Sequence, residues 1–242
     1  MRSSPSSSDP RWVDPLWPGP NGFAHRGLHH APAIVENSLT SFAAALELGC
    51  GIECDVRLTA DDKVVVFHDP DTARLTGIAR SVAQSTYPGL ADLTVGNRPI
   101  PLLEQMLALV AGRVPILVEV KVEPDQFWRI GPALLRAIQD YRGSLGIMSF
   151  DPRVALWLKT NAPSVRRGLV IRDSLQPFRR WAAMVFADPN FLAVDVAALP
   201  RSWVAAARRR MPVYSWTSRT PADAAQVRRF ADAAIWESDG RP

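Results

Sequence analysis

The chain has 242 residues, 47% of them hydrophobic, which is enough for a large core and allows either two average domains or one α/β barrel. No apolar run reaches the roughly 20 residues of a membrane-spanning helix, and the Ser- and Pro-rich first 20 residues lack a secretory apolar stretch. The expected setting is therefore soluble and cytoplasmic, with residues 1–21 as a flexible lead. The formal charge of +4 is uneven: residues 1–121 carry 10 basic and 13 acidic side chains, residues 122–242 carry 18 and 11. The basic residues of the second half come in clusters, Arg166-Arg167, Arg179-Arg180, Arg208-Arg209-Arg210 and Arg228-Arg229. With no regular aromatic interleaving across the clusters to suggest base stacking, they read as solvated helix ends that complement the helix dipole. Nucleic acid is not an expected partner. Cys50 and Cys54 are too few and too close for a disulfide framework, and read as buried free thiols.

In chain order, Gly22–His25 is a short strand, and Ser38–Leu48 has the apolar spacing, capping serine and terminal glycine of an amphipathic helix. Gly51–Val56 is the next strand. Leu58–Lys63 is a turn with no room for a helix, so Val64–Phe67 must return antiparallel as a hairpin. A fold centred between Asp61 and Asp62 would set His68 opposite Asp55. Residues 70–101, broken by Gly and Pro, read as a long irregular rim loop. A βα rhythm follows, with strands at 116–120, 145–148, 169–171, 192–196, 213–216 and 234–236. Helices are expected at 102–111, 126–141, 152–161, 177–186, 201–210 and 221–232. Without the hairpin return, eight strands separated by helices predict a single-domain TIM (β/α)8 barrel over 22–242.

In such a barrel, polar residues at the C-terminal strand ends are presumptively functional. Those positions hold His25 and Arg26, Glu53 and Asp55, Glu119 and Lys121, Ser149 and Asp151, Asp195, Trp216 and Thr217, and Glu237 with Asp239. Glu53 and Asp55 are two apart on a strand and share a face, as do Glu119 and Lys121. Three carboxylates at one barrel end repel unless a cation lies among them, and oxygen ligands point to a hard divalent ion, Mg²⁺ or Ca²⁺. No His/Cys set has the spacing of structural zinc. Only Lys63, Lys121 and Lys159 are lysines, which singles out Lys121 at a strand end. His29 and His30 read as solvent-facing loop residues, Asp195 as either an ion-pair partner or a rim group, and Trp216 as part of the pocket wall.

Taken in order, these residues form the series His25-Arg26-Gly27, Glu36-Asn37-Ser38, Glu53-x-Asp55, Phe67-His68-Asp69, Glu119-x-Lys121, Ser149-Phe150, Trp216-Thr217 and Ser238-Asp239-x-x-Pro242. The series resembles the glycerophosphodiester phosphodiesterase family over nearly the whole chain. The resemblance implies a TIM barrel that hydrolyses glycerophosphodiesters to glycerol 3-phosphate and an alcohol, with Mg²⁺ or Ca²⁺. It implies His25 and His68 as the acid/base pair and Glu53, Asp55 and Glu119 as metal ligands. Arg26 and Lys121 become phosphate contacts, and Glu36 and Asn37 line the same region. It further implies attack by the substrate's own glycerol hydroxyl through a cyclic phosphate, with a small-molecule phosphodiester as the partner and no stable membrane insertion.

Two departures from the family pattern stand out. Ser218-Arg219 follows Trp216-Thr217 where the family often has Asn, and the 70–101 loop is too short for the inserted domain of some members. The competing readings are a related phospholipase-type phosphodiesterase, which would need access to lipid, and a non-catalytic binding barrel, which would have lost a residue of the constellation. None is lost.

Overall fold

The computed structural model describes residues 14–242; residues 1–13, the start of the expected lead, lie outside them. The strands are β1 (Phe23–Ala24), β2 (Gly51–Leu58), β3 (Val64–Val66), β4 (Thr94–Val95), β5 (Arg98–Pro99), β6 (Ile116–Val120), β7 (Leu145–Ser149), β8 (Arg166–Ile171), β9 (Phe191–Asp195), β10 (Val213–Ser218) and β11 (Ala233–Trp236). The helices are α1 (Leu39–Glu47), α2 (Ala73–Thr76), α3 (Leu103–Val110), α4 (Phe127–Ile138), α5 (Pro152–Asn161), α6 (Pro177–Ala187), α7 (Ser202–Arg208) and α8 (Pro221–Phe230). Among the described residues, β1, β2 and β6 to β11 form a parallel sheet in which β1 pairs with both β2 and β11, closing a (β/α)8 barrel.

Period-two alternation separates two cores. On β2, Ile52, Cys54 and Val56 face outward to the helices, and Glu53 and Asp55 face inward. The interior is filled from β1, β9 and β10 by Phe23, Phe191 and Tyr214, whose rings meet within 5.4 Å. Gly146 and Gly168 make room for them: a Cβ at Gly168 would sit 2.3 Å from the Phe191 ring. Cys50 and Cys54 are buried and unbridged, as expected.

Four expectations change. Residues 14–21 are not a loose lead: Leu16 is fully buried inside the barrel floor, and Tyr214 donates its hydroxyl hydrogen bond to Asp14. The 70–101 segment is not irregular throughout. It contains α2 and the β4–β5 hairpin, and its Val82, Leu90, Leu93 and Val95 form a satellite core with Val65 and Phe67 under the rim. The β2–β3 hairpin is centred on Asp61 and not between Asp61 and Asp62, which shifts the pairing by one residue. Val56 pairs with Val66 and Thr59 with Lys63 around a three-residue loop, with Asp62 in the left-handed conformation. Phe67, not His68, is therefore opposite Asp55 and donates its N–H to the Asp55 carbonyl at 2.9 Å. Finally, only Arg208 to Arg210 and Arg228-Arg229 lie at helix C-termini. Arg166-Arg167 opens β8, with Arg167 buried and bonded to the Asp188 carbonyl at 2.8 Å, and Arg179-Arg180 sits in the first turn of α6.

Candidate active site

The β2–β6 register sets Asp55 directly beside Glu119, and Glu53 lies two residues back on the same interior face. Oxygens of Glu53, Asp55 and Glu119 all lie within 4.8 Å of one another, and all three residues are buried. Burying an uncompensated carboxylate costs several kcal/mol per ion, so what surrounds them decides the site's chemistry. Lys121 donates to Glu119 and lies 3.0 Å from Asp55 Oδ1. Arg26 donates its backbone N–H to Glu53 at 3.0 Å, and its Nε lies 3.1 Å from Asp55 Oδ2. Asn37 clamps Asp55 from the other side, its amide donating to Oδ2 at 2.9 Å and its carbonyl accepting from the Asp55 N–H at 3.2 Å.

These contacts split the three carboxylates electrostatically. Burial alone would raise Asp55, but Lys121 and Arg26 outweigh it and hold the carboxyl well below its ordinary range. Glu53 goes the other way: burial, then the neighbouring Asp55 and Glu119, push it well above, with Arg26 only partly opposing. Glu119 is also raised by burial, against Lys121. Glu53 Oε1 is buried with no hydrogen-bond partner. A group of hard oxygen donors with one orphaned oxygen and a surplus of negative charge fits a divalent cation.

Both histidines flank this group and are held alike. His25, the residue after β1, has Nδ1 2.5 Å from Glu237 Oε2 and Nε2 4.0 Å from Glu53 Oε2. His68 has Nδ1 2.7 Å from Asp69 Oδ1, and among the charges around it the Asp55 carboxylate acts on it most strongly. With Nδ1–H given to a carboxylate, each ring keeps its Nε2 lone pair for chemistry. Burial lowers both histidines, His25 against the hydrogen bond it donates to Glu237 and His68 against the pull of Asp55.

The remaining expected residues take more specific places. Glu36 accepts from Arg26 at 2.8 Å and from Arg74 at 2.7 Å, so it holds the arginines. Trp216 is partly buried against the interior core, its indole N–H donating to Ala193 O at 3.0 Å and its ring edge-on to Phe150 at 5.4 Å. Ser149 donates to Val120 O, Asp151 caps α5, and Asp195 caps the turn that follows β9, so all three are consumed locally. His29 is not a free solvent residue, because its Nε2 lies 3.8 Å from Glu237 Oε2.

Sequence reasoning placed Glu237 at a strand end without giving it a task, and missed Arg74. The pairing of Ala24 with Trp236 makes His25 and Glu237 successive neighbours across the barrel seam. Arg219 completes the group, donating to Glu237 Oε1 at 2.7 Å.

The glycerophosphoryl diester phosphodiesterase family model matches residues 25–236, nearly all of the barrel just described. The chain belongs to that family. As a member of the glycerophosphoryl diester phosphodiesterases it is a phosphoric diester hydrolase acting on glycerophosphodiesters. The chain is 30% identical over 164 residues to a glycerophosphodiester phosphodiesterase of Caldanaerobacter subterraneus subsp. tengcongensis, covering 63% of this chain and 67% of that one. It is 27% identical to the glycerophosphodiester phosphodiesterase structure from Thermotoga maritima, with a TM-score of 0.73, covering 88% and 92% of the two chains. An Oleispira antarctica phosphodiesterase, solved with its product sn-glycerol-3-phosphate, shares the fold at a TM-score of 0.80 and 19% identity, over 90% and 92%.

Proposed function

We propose that residues 22–242 form one catalytic domain that cleaves glycerophosphodiesters to glycerol 3-phosphate and an alcohol, with His25 and His68 as the proton-transfer pair. The observation that carries this reading is the flanking of one buried carboxylate group by two histidines whose Nδ1 atoms are each held by a separate carboxylate. Arg26 and Lys121 are placed to receive the phosphodiester's charge, which grows as a nucleophile adds. The neighbouring glycerol hydroxyl attacks phosphorus; one histidine Nε2 takes its proton, and the other protonates the departing alkoxide. Water then opens the cyclic phosphate with the two roles exchanged.

Glu53, Asp55 and Glu119 would hold Mg²⁺ or Ca²⁺, which would polarise the phosphoryl oxygens and acidify the attacking hydroxyl. Lys121, which donates to Glu119 and lies 3.0 Å from Asp55, would remain beside two of the residues that would hold the ion. The buried free thiols Cys50 and Cys54 favour a reducing, cytoplasmic setting. The decisive experiment is a panel of glycerophosphocholine, -ethanolamine, -glycerol and -inositol assayed with Mg²⁺ and with Ca²⁺. Glycerol 3-phosphate should appear from at least one of them, and release of a phosphoalcohol with free glycerol would overturn the bond assignment.

Glu237 acts through His25, so it is a positioning residue. Glu237→Gln keeps the size and removes the charge that fixes the Nδ1–H tautomer. A fall in kcat/KM of roughly 10- to 100-fold is expected, the range for losing a carboxylate behind a functional histidine. KM should be nearly unchanged and the thermal melt close to wild type. A change confined to KM would place Glu237 in substrate binding instead.

A further inference from the structure

We infer that the exposed apolar stripe of α6, with the first turn of α4 two helices further along the rim, docks on an anionic lipid surface. The assignment starts from α6. Its inward side packs through Ala183, Met184 and the fully buried Ala187. Its outward side carries Phe178, Trp181 and Val185 at i, i+3 and i+7, exposed by 74%, 61% and 63%. A surface helix ordinarily turns polar residues outward, and one that is apolar on both sides is built to be covered on both. Phe178 and Trp181 lie against each other, with ring centroids 6.1 Å apart, so the stripe is a contiguous aromatic patch and not scattered residues. Trp128, in the first turn of α4, is 78% exposed.

The position of these rings follows from topology. In a parallel barrel each helix begins at the end where the preceding strand stops. Trp128, Phe178 and Trp181 therefore stand at the C-terminal end of the strands, the end that carries His25, Glu53 and Glu119. A cationic and aromatic track connects that site to the foot of α6. The Lys121 ammonium lies 5.8 Å from the Phe150 ring centre, and the Arg172 guanidinium lies 4.4 Å from it on the loop leading into α6.

Charge selects the occupant. Arg179 and Arg180 follow Phe178 in the first turn of α6, where Arg180 stacks on Trp203 at 4.3 Å; Arg172 lies on the loop just before, and the nearby Asp173 is engaged by Arg201 at 2.5 Å. A twofold contact with a second copy would set this arginine group against itself. A bilayer with anionic headgroups meets the arginines with opposite charge and gives Trp and Phe the interfacial depth their rings favour. Among the described residues no helix is long and apolar enough to cross a membrane, so the contact is a surface one. It would turn the mouth of the barrel toward the lipid.

The test is co-flotation of the full chain with phosphatidylcholine vesicles and with vesicles that also contain phosphatidylglycerol. Flotation is expected with the anionic vesicles and should weaken with salt. The double variant Phe178→Ser/Trp181→Ser should partition roughly tenfold less, and Arg179→Glu should lose the preference for phosphatidylglycerol. Both variants should hydrolyse a water-soluble glycerophosphodiester at the wild-type rate, which shows that they are folded. Absence of wild-type flotation, or flotation unchanged in both variants, overturns the assignment. So does a concentration-dependent dimer that the double variant abolishes, since the stripe would then belong to a second copy. Flotation is read without turnover, so its failure is separate from failure of the proposed chemistry.

Discussion

Replacing His25 or His68 with alanine is expected to lower kcat/KM for a glycerophosphodiester by about 10² to 10⁴-fold, the usual worth of one general acid or base. Divalent-ion binding, measured by calorimetry, should survive in both variants. The structure supplies the reason for each half of this expectation. Each ring has one nitrogen committed to a carboxylate, His25 to Glu237 and His68 to Asp69, and neither belongs to the group formed by Glu53, Asp55 and Glu119. Removing an imidazole therefore takes away a proton carrier and leaves the oxygen donors in place. The two losses should not add, because both histidines serve the same transition state. A double variant that still turned over substrate at more than a few per cent of wild type would exclude the pair from the chemistry.

Chelation is the second large effect. Treatment with EDTA should abolish hydrolysis, and Mg²⁺ or Ca²⁺ should restore it. Thermal melts give a readout that does not depend on turnover. Burial and mutual repulsion raise Glu53 and Glu119, so the metal-free fold holds protons that the unfolded chain would release. Stability of the metal-free protein should thus fall as pH rises above the ordinary carboxylate range. A bound cation displaces those protons, so its stabilisation grows with pH. Saturation at 100 times Kd adds about 2.7 kcal/mol. The melting shift on adding Mg²⁺ or Ca²⁺ should therefore be larger at pH 8 than at pH 5.5. Asp55 has the opposite sign and does not reverse this trend: held low by Lys121 and Arg26 against its burial, it stays ionised throughout. Turnover that ignores the chelator, or a melting shift equal at both pH values, would remove the ion from these three residues.

Much of this was decided by local chemistry. Hydrophobic period and Gly/Pro punctuation set the βα succession, because a strand buried on both sides and an amphipathic helix leave different traces in the chain. The spacing of Glu53 with Asp55, and of Glu119 with Lys121, was enough to put each pair on one face, since side chains alternate along any strand. Where the sequence misled about the hairpin, a single residue of backbone geometry was responsible. Asp62 in the left-handed conformation makes the hairpin turn about Asp61, which moves Phe67 opposite Asp55 and leaves His68 beyond the ladder.

Tertiary structure alone decided the rest. Glu237 reaches His25 across 212 positions of sequence only because β1 pairs with β11 and closes the sheet. Nothing in the local pattern around residue 237 distinguishes that carboxylate from Asp239 beside it. Arg74 reaches Glu36 from a short helix in a segment that reads as loop, held down by a satellite core whose members from that segment, Val82, Leu90, Leu93 and Val95, are scattered in the sequence. The outward stripe of α6 was hidden for the complementary reason. Phe178, Trp181 and Val185 have the spacing of a buried helix face, and only the packed barrel shows that Ala183, Met184 and Ala187 had already taken that side. Periodicity in a sequence fixes which residues share a face. Which face meets the core is settled when the barrel closes, because only then does burial assign an inside.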